Sequence, residues 1–370
     1  MNTYSILLDK LKEETDYSKK TDIYIPTQST SPILYIFSSV GFIIGKIFNL
    51  NIIFTLYLAR MFNLIFSLIL GYYSIRLIPF GKKVLMTYLF TPMYFQQGSS
   101  ISYDSMINAI TIFFIAYIFY LIFRTKDINI KESILIYVLI AIMAISKYVY
   151  IPLVGLTFLL ILNKNISKKN KITIITIGVL LAIILAVSGY VFSGRYTEER
   201  AYVNEMNVNS SEQIKNIIKN PTTFIRVLFN SIKEDAEAYV FTFIGSSLGW
   251  LNININNLII CMFLLLLIVT PFLEKNKEEF NFAFRIWNIL IFASISILII
   301  LGLYLGWSPV GWYKAIGIQG RYFIPCAILV LLSFTSKTKN IEFNYIDIKL
   351  LFTVFILNTL TIIQVIENFI

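Results

Sequence analysis

Residues 52–78 read IIFTLYLARMFNLIFSLILGYYSIRLI, and this stretch decides the fold class. An α-helix needs a run of about 20 apolar residues to cross a hydrocarbon layer about 30 Å thick. Here the apolar character runs past one interior cation, Arg60, as far as Arg76. Working outward, comparable runs recur at 104–123, 172–193, 257–273, 285–306, 322–336 and 349–367. A shorter run at 84–100 and a pair at 133–146 and 149–163 are less regular, and the pair reads as a helical hairpin folded around Lys147. The short alternating strands of a closed barrel are missing. The expected fold is therefore an all-α polytopic membrane protein with about nine to eleven transmembrane helices.

Composition agrees. Hydrophobic residues make up 57% of the chain and charged residues 14%, with a mean hydropathy of +0.74. That is more apolar surface than one soluble core can take up, so the excess faces a lipid bilayer. The formal charge of +10 does not point to nucleic acid, because the cations gather in short loops between apolar runs. Five such clusters stand out: Arg76, Lys82 and Lys83; Arg124, Lys126 and Lys131; Lys164, Lys168, Lys169 and Lys171; Lys275, Lys277 and Arg285; and Lys337, Lys339 and Lys349. Cytoplasmic loops carry the Lys/Arg excess. All five clusters fit on that side, leaving 98–104, 194–256 and 307–321 on the other. Cys261 and Cys326 both fall in apolar runs, which suggests neither a disulfide framework nor a Cys metal site. The absence of histidine excludes His-based acid/base chemistry and His ligation of a metal.

Residues 1–31 are polar and lack the apolar core of a signal peptide. They are expected to form a polar N-terminal segment, followed by a multi-span membrane domain over 32–367 with a large external segment at 194–256. The apolar run 32–48 is short. Either it crosses, which makes the N-terminus cytoplasmic, or it lies along the outer surface as an interfacial helix after a span that is missing. In the external segment, Asn220 and Pro221 start a helix on which Phe224, Val227, Leu228 and Ile232 recur at helical spacing, with Lys219, Arg226 and Lys233 on other faces. Such a helix lies flat on the membrane, or else is an ordinary solvated one.

Two charged residues stand where external loops enter spans. Asp104, in GSSISYDS at 98–105, is a carboxylate at a membrane edge, a place where acids tend to be functional. It suits a divalent cation, a sugar hydroxyl or general-base work, or it is simply a helix N-cap. Arg321, in GIQGRYFIP at 317–325, offers a bidentate fork matched to a phosphate, or else snorkels at the interface. Tyr103 beside the first, and Gln319 and Tyr322 beside the second, are the neighbouring substrate-binding candidates. Arg60 and Lys147 are cations inside apolar runs and must face protein or water, either to fix packing or to bind substrate. Weaker signals are GSSLGW at 245–250 and Trp307, Trp312 and Tyr313, which an aromatic belt explains equally well. Gly302 and Gly306 suit close helix packing. The Gly41–Lys46 stretch has the wrong spacing for a phosphate loop.

Several motifs resemble the family called domain of unknown function 2142. They are ARMFN at 59–63, Pro79 with Gly81–Lys82, TPM at 91–93, SYDS at 102–105 with Asn108–Ala109, FIGS at 243–246, LGW at 248–250 and QGRYFIP at 319–325, a match from about Ser31 to about Leu332. That family is distantly similar to the GT-C superfamily of membrane glycosyltransferases. The resemblance implies a GT-C-like bundle and a polyprenyl-phosphate-linked sugar used outside the cytoplasm in surface polysaccharide or glycolipid assembly. It also implies Arg321 on the lipid phosphate, Asp104 as the catalytic contact to sugar or metal, an external position for residues 32–48, and a place in the cell membrane. A transporter or flippase for a lipid-linked or small polar solute, and a non-catalytic partner in polysaccharide assembly, are the other classes. The family typically carries a first span, a Pro-Asp-Glu motif and a nearby His ahead of the region matched here, and this sequence has no Pro-Asp-Glu and no His. The expectation is a misplaced start, a fragment, or loss of the motif in this branch, and with it doubt over independent catalysis.

Overall fold

In a computed structural model, residues 8–19, 31–193, 207–274, 282–335 and 345–368 are described. Lys275, Lys277, Lys337 and Lys339 of the cation clusters, residues 194–206 of the external segment and residues 1–7 and 20–30 of the polar N-terminal segment lie outside them. In chain order the α-helices are α1 (Ile36–Ile47), α2 (Ile52–Leu77), α3 (Lys82–Leu89), α4 (Pro92–Gly98), α5 (Tyr103–Phe123), α6 (Ile130–Ser146) and α7 (Lys168–Ser193). They continue with α8 (Ser210–Lys219), α9 (Pro221–Ile244), α10 (Asn257–Leu273), α11 (Phe282–Trp307), α12 (Ile328–Ser333) and α13 (Ile346–Glu367). A long 3-10 helix covers Tyr148–Leu162, and a two-residue hairpin pairs β1 (Ser247–Leu248) with β2 (Ile253–Asn254). The protein is an all-α polytopic membrane protein. Among the described residues, α2, α5, α7, α11 and α13 are long and apolar enough to cross a bilayer.

The chain forms two compact units. The first comprises Met1–Lys126, Ile244–Glu279 and Phe334–Ile370. Its centre is α5, with 89% of its apolar window buried, against 28% for α2 and 22% for α13. The buried face of α2 is small and polar: Thr55, Ala59, Asn63, Ser67, Gly71 and Ser74 follow one another at helical spacing, whereas Phe54, Tyr57, Met61, Ile65, Leu68, Ile69 and Tyr72 are exposed. This follows from having lipid as solvent. Large apolar side chains gain nothing by leaving acyl chains, so close backbone approach and polar contacts hold the helices together.

Close approach also fixes α1. A Cβ at Gly41 would overlap the backbone of Ala59, and one at Gly45 would overlap Thr55, while Phe37 stacks on Phe66 at 3.9 Å. The turn after α1 is capped by the N-terminal segment: Tyr17 Oη donates to Leu50 O at 2.8 Å, and Asn51 Nδ2 donates to Lys10 O and Glu13 O. Residues 10–17 and 48–51 therefore share one end of α2. The run 32–48 packs alongside α2, with α1 extending about 18 Å along it. At the other end of this unit, Glu274 accepts from the backbone of Lys82 and Lys83, capping α3, and Lys83 pairs with Asp347 at 2.9 Å.

The second unit comprises Asp127–Phe243 and Phe280–Ser333. α6 and the 3-10 helix form the expected hairpin. Asn170 and the Ser167 backbone donate to Asp127 at its open end, and Lys147 caps its tip as the C-cap of α6. A 3-10 helix of fifteen residues is unusual, since most run three or four. Its rise of about 2.0 Å per residue gives a length of about 30 Å, enough to cross a bilayer where an α-helix of that length would fall short. The burial obeys the three-residue period: Tyr150, Leu153, Leu156 and Leu159 form one buried row and Val154, Thr157 and Leu160 a second, while Phe158 and Ile161 on the third are exposed. Trp287 Nε1 donates to Gly155 O at 2.9 Å, joining the helix to α11.

Two expectations need correction here. The run 322–336 is no continuous helix: a 3-10 turn at Gly320–Phe323 is followed by α12, with Pro325, which has no N–H to donate, between them. Gly302 and Gly306 pack closely on no helix among the described residues, since nothing there lies within 4 Å of a Cβ placed on either.

Candidate functional site

The candidate residues fall in both units, each on the end away from its cationic loops. In the first unit, α2 holds the loop between α4 and α5 from below. Arg60 Nε donates to Ser99 O at 3.1 Å, Asn63 Nδ2 donates to Ser100 O at 2.7 Å, and Ser67 meets Ser105 at 3.3 Å. Arg60 lies eight residues into α2, so the loop is recessed about 12 Å from the helix tip. Ser102 is the N-cap of α5, accepting from the Asp104 N–H. Asp104 is thus not the cap. It stands in the first turn, where the helix dipole favours an anion, with Tyr103 beside it and both half-buried. One turn further, Asn108 is 3% exposed, and its Nδ2 has no hydrogen-bond partner among the described residues. Gln96 of α4 grips the β-hairpin through both backbone groups of Gly249, leaving Trp250 97% exposed.

In the second unit, Lys147, Arg321 and Tyr322 come together. Lys147 Nζ lies 5.4 Å from the centre of the Tyr322 ring and Arg321 Cζ 5.5 Å from it, both within cation–π range. Tyr150, in the first turn of the 3-10 helix, donates its hydroxyl to Tyr322 O at 2.9 Å. Arg321 Nε is buried without a hydrogen-bond partner among the described residues. Gln319 precedes the turn in extended conformation, and its carbonyl accepts from Tyr322 N.

Helix α9 positions Arg321. Thr242 Oγ1 accepts from Gly320 N at 2.9 Å, and a Cβ on Gly320 would overlap Tyr239 O and Phe243 N. Further along, Ser231 Oγ accepts from Ala315 N, Asn230 donates to Tyr313 O, and Lys314 bridges Asp235 at 3.0 Å and Glu234 at 3.2 Å. The hydrogen bond to Asp235 chiefly holds the Lys314 ammonium above its ordinary pKa, against the effect of burial. Two cations thus flank one aromatic ring, one of them with a buried N–H that has no hydrogen-bond partner among the described residues; a guanidinium fork and an ammonium charge are the groups that suit a phosphate. Among the described residues no group of three or more Cys, Asp or Glu side chains comes together to hold a metal ion. Sequence reasoning took Asn63 only as the end of the ARMFN motif and did not single out Tyr150 or Thr242. Each is a neutral polar residue in an apolar or mixed run and carries no charge signal.

Residues 4–330 match the family described as Predicted membrane protein (DUF2142). The chain belongs to DUF2142. No curated protein and no solved structure matches it. In this DUF2142 member the match takes in every candidate residue from Arg60 to Tyr322. It also reaches upstream of Ser31, where the motifs quoted from the sequence begin, and so includes the segment that caps the α1–α2 turn.

Proposed function

We propose that this protein is a GT-C-like glycosyltransferase of the cell membrane that takes its sugar from a polyprenyl-phosphate donor in surface polysaccharide or glycolipid assembly. The observation that carries the reading is the Lys147–Tyr322–Arg321 cluster, with Arg321 Nε buried and unpaired among the described residues. Sugar transfer from such a donor leaves a lipid phosphate. A guanidinium and an ammonium held beside that phosphate stabilise the negative charge as it develops. Asp104, half-buried at the start of α5, takes the sugar or acceptor hydroxyl, or a divalent cation bound with it. The bilayer and the polyprenyl tail are the other partners.

The test is sugar transfer from polyprenyl-phosphate donors in vesicles containing the full chain. Arg321→Ala and Asp104→Asn are each expected to abolish it while the protein remains folded. Transfer at parental rates in both variants rules out these roles. The break between the Gly320–Phe323 turn and α12 favours a second reading, a transporter or flippase, since interrupted helices build midplane sites. Lipid flipping without sugar transfer would decide for it.

A further inference from the structure

Helix α9 has two apolar faces, and among the described residues one is packed inside the protein and the other is exposed. On the inner side, Val227 is buried with Ile300, Tyr304 and Ala315, and Phe224 and Leu228 pack against them. On the outer side, Ile225, Phe229, Ile232 and Val240 are 64%, 64%, 53% and 44% exposed. At about 100° per residue these four fall within about 80° of the helix circumference. Arg226, Lys233 and Glu237, all exposed, follow along one flank. Helix α8 repeats the pattern: Gln213 is buried against the Tyr304 and Pro309 carbonyls, while Ile214 and Ile218 are exposed beside Lys215 and Lys219.

The depth of these helices is set by what they pack on. Helix α11 has 26 residues, a length of about 39 Å, which exceeds a hydrocarbon core of about 30 Å. The excess of about 9 Å, under two turns in all, puts the turns that end at Trp307 at the margin of the hydrocarbon core. Those are the turns that α8 and α9 hold: Val227 packs on Ile300 and Tyr304, and Ser210 Oγ donates to Leu305 O. The loop clasped to α9 carries Trp312 and Tyr313, both more than 40% exposed, an amphipathic pair of the kind that gathers at membrane interfaces. An apolar stripe flanked by cations, beside exposed Trp and Tyr and at the end of a membrane-spanning helix, has the composition of an interfacial helix.

We infer that α8 and α9 rest in the interface of the bilayer, with the Ile225–Phe229–Ile232–Val240 stripe in the upper acyl chains and the basic residues at the lipid phosphates. The same helix that touches lipid with one face clasps the Arg321 loop with the other. The bilayer thereby holds Arg321 at the depth of lipid phosphate groups. The sequence groups Phe224, Val227, Leu228 and Ile232 on one apolar face of a helix that lies flat on the membrane or is solvated. In the structure Phe224, Val227 and Leu228 pack inside the protein, whereas Ile232 is exposed with Ile225, Phe229 and Val240.

The experiment uses the full chain in nanodiscs with a Cys261→Ser, Cys326→Ala background, in which Phe229→Cys, Ile225→Cys and Glu237→Cys each carry a nitroxide. Phe229 and Ile225 are exposed, so the two labels report independently and neither depends on a core side chain. At both, collisions with oxygen are expected to exceed those with a water-soluble nickel chelate, and at Glu237→Cys the order is expected to reverse. Nickel access at Phe229→Cys and Ile225→Cys equal to that at Glu237→Cys would overturn the inference by placing the stripe in water. Dipolar broadening that vanishes on dilution with unlabelled protein would overturn it by seating a second copy there. The readout needs no sugar transfer, so it stands or falls apart from the glycosyltransferase reading.

Discussion

Tyr150 donates its hydroxyl to the backbone carbonyl of Tyr322 at 2.9 Å, across 172 residues of sequence. One hydrogen bond thus ties the 3-10 helix that begins after Lys147 to the turn that carries Arg321. Tyr150→Phe removes that bond and keeps the buried ring. It is expected to cost about 1 kcal/mol, read as a lowered melting temperature in detergent, and to weaken binding of a polyprenyl phosphate although both cations remain. Unchanged binding would mean that the tie does not position the cluster.

Gly320 has no room for a side chain, because any Cβ would run into the backbone of α9 at Tyr239 and Phe243. Overpacking against backbone commonly costs about 1–3 kcal/mol. Gly320→Ala is therefore expected to lower the melting temperature well beyond Tyr150→Phe and to lose phosphate binding. A variant as stable as the parent would contradict the contact between the turn and α9.

Arg60 and Asn63 both donate to the loop before α5, but Arg60 is exposed and Asn63 is 4% exposed. Asn63→Ala leaves the Ser100 carbonyl without this donor in a buried site, at a cost of about 1–3 kcal/mol. Arg60→Ala is expected to change stability by under about 1 kcal/mol, since water replaces the lost donor. Thermal melts of the two variants check the order, and a larger loss for Arg60→Ala would reverse this account of the loop.

The pH response of the second unit follows from two groups outside its spans. Burial raises the pKa of Asp127, but hydrogen bonds from the Asn170 side chain and the Ser167 and Ile128 backbone outweigh it and leave the group below its ordinary 3.8. The stability it adds is present above that value and disappears as pH falls through the lower folded pKa. Lys314 is shifted the opposite way, above its ordinary 10.5, so its contribution is present below that value and is lost as pH rises through the higher folded pKa. Melting temperatures are expected to be flat through neutral pH and to fall at both extremes. Asp127→Asn should flatten the acid limb alone, and a variant with the full acid limb would contradict this role.

Much of the membrane architecture was legible in the sequence. Asn51 and Pro79 bracket the run 52–78, and the helix found is Ile52–Leu77; the run 104–123 became Tyr103–Phe123. Hydrophobic length carries that information because the bilayer sets it. The 3-10 character of Tyr148–Leu162 was hidden, since an all-apolar run shows no period to distinguish 3.0 from 3.6 residues per turn. The packing glycines were misread for a related reason. Gly302 and Gly306 have helical spacing but no neighbour among the described residues, whereas Gly41 and Gly45 meet one, and spacing alone cannot name a partner. Asp104 and Arg321 were visible because an isolated charge in an apolar chain is conspicuous. The Tyr150 hydroxyl and the Thr242 clasp were not, because tertiary contacts make them.

Binding of polyprenyl phosphate to the full chain in nanodiscs, compared between the parent and Arg321→Ala with neutral polyprenol as control, tests the phosphate receptor most directly. A charge-assisted hydrogen bond contributes about 1.5–3 kcal/mol, so the account predicts saturable binding in the parent, weaker by about tenfold or more in Arg321→Ala, and no comparable effect on polyprenol. Equal affinity of parent and variant for polyprenyl phosphate would contradict it.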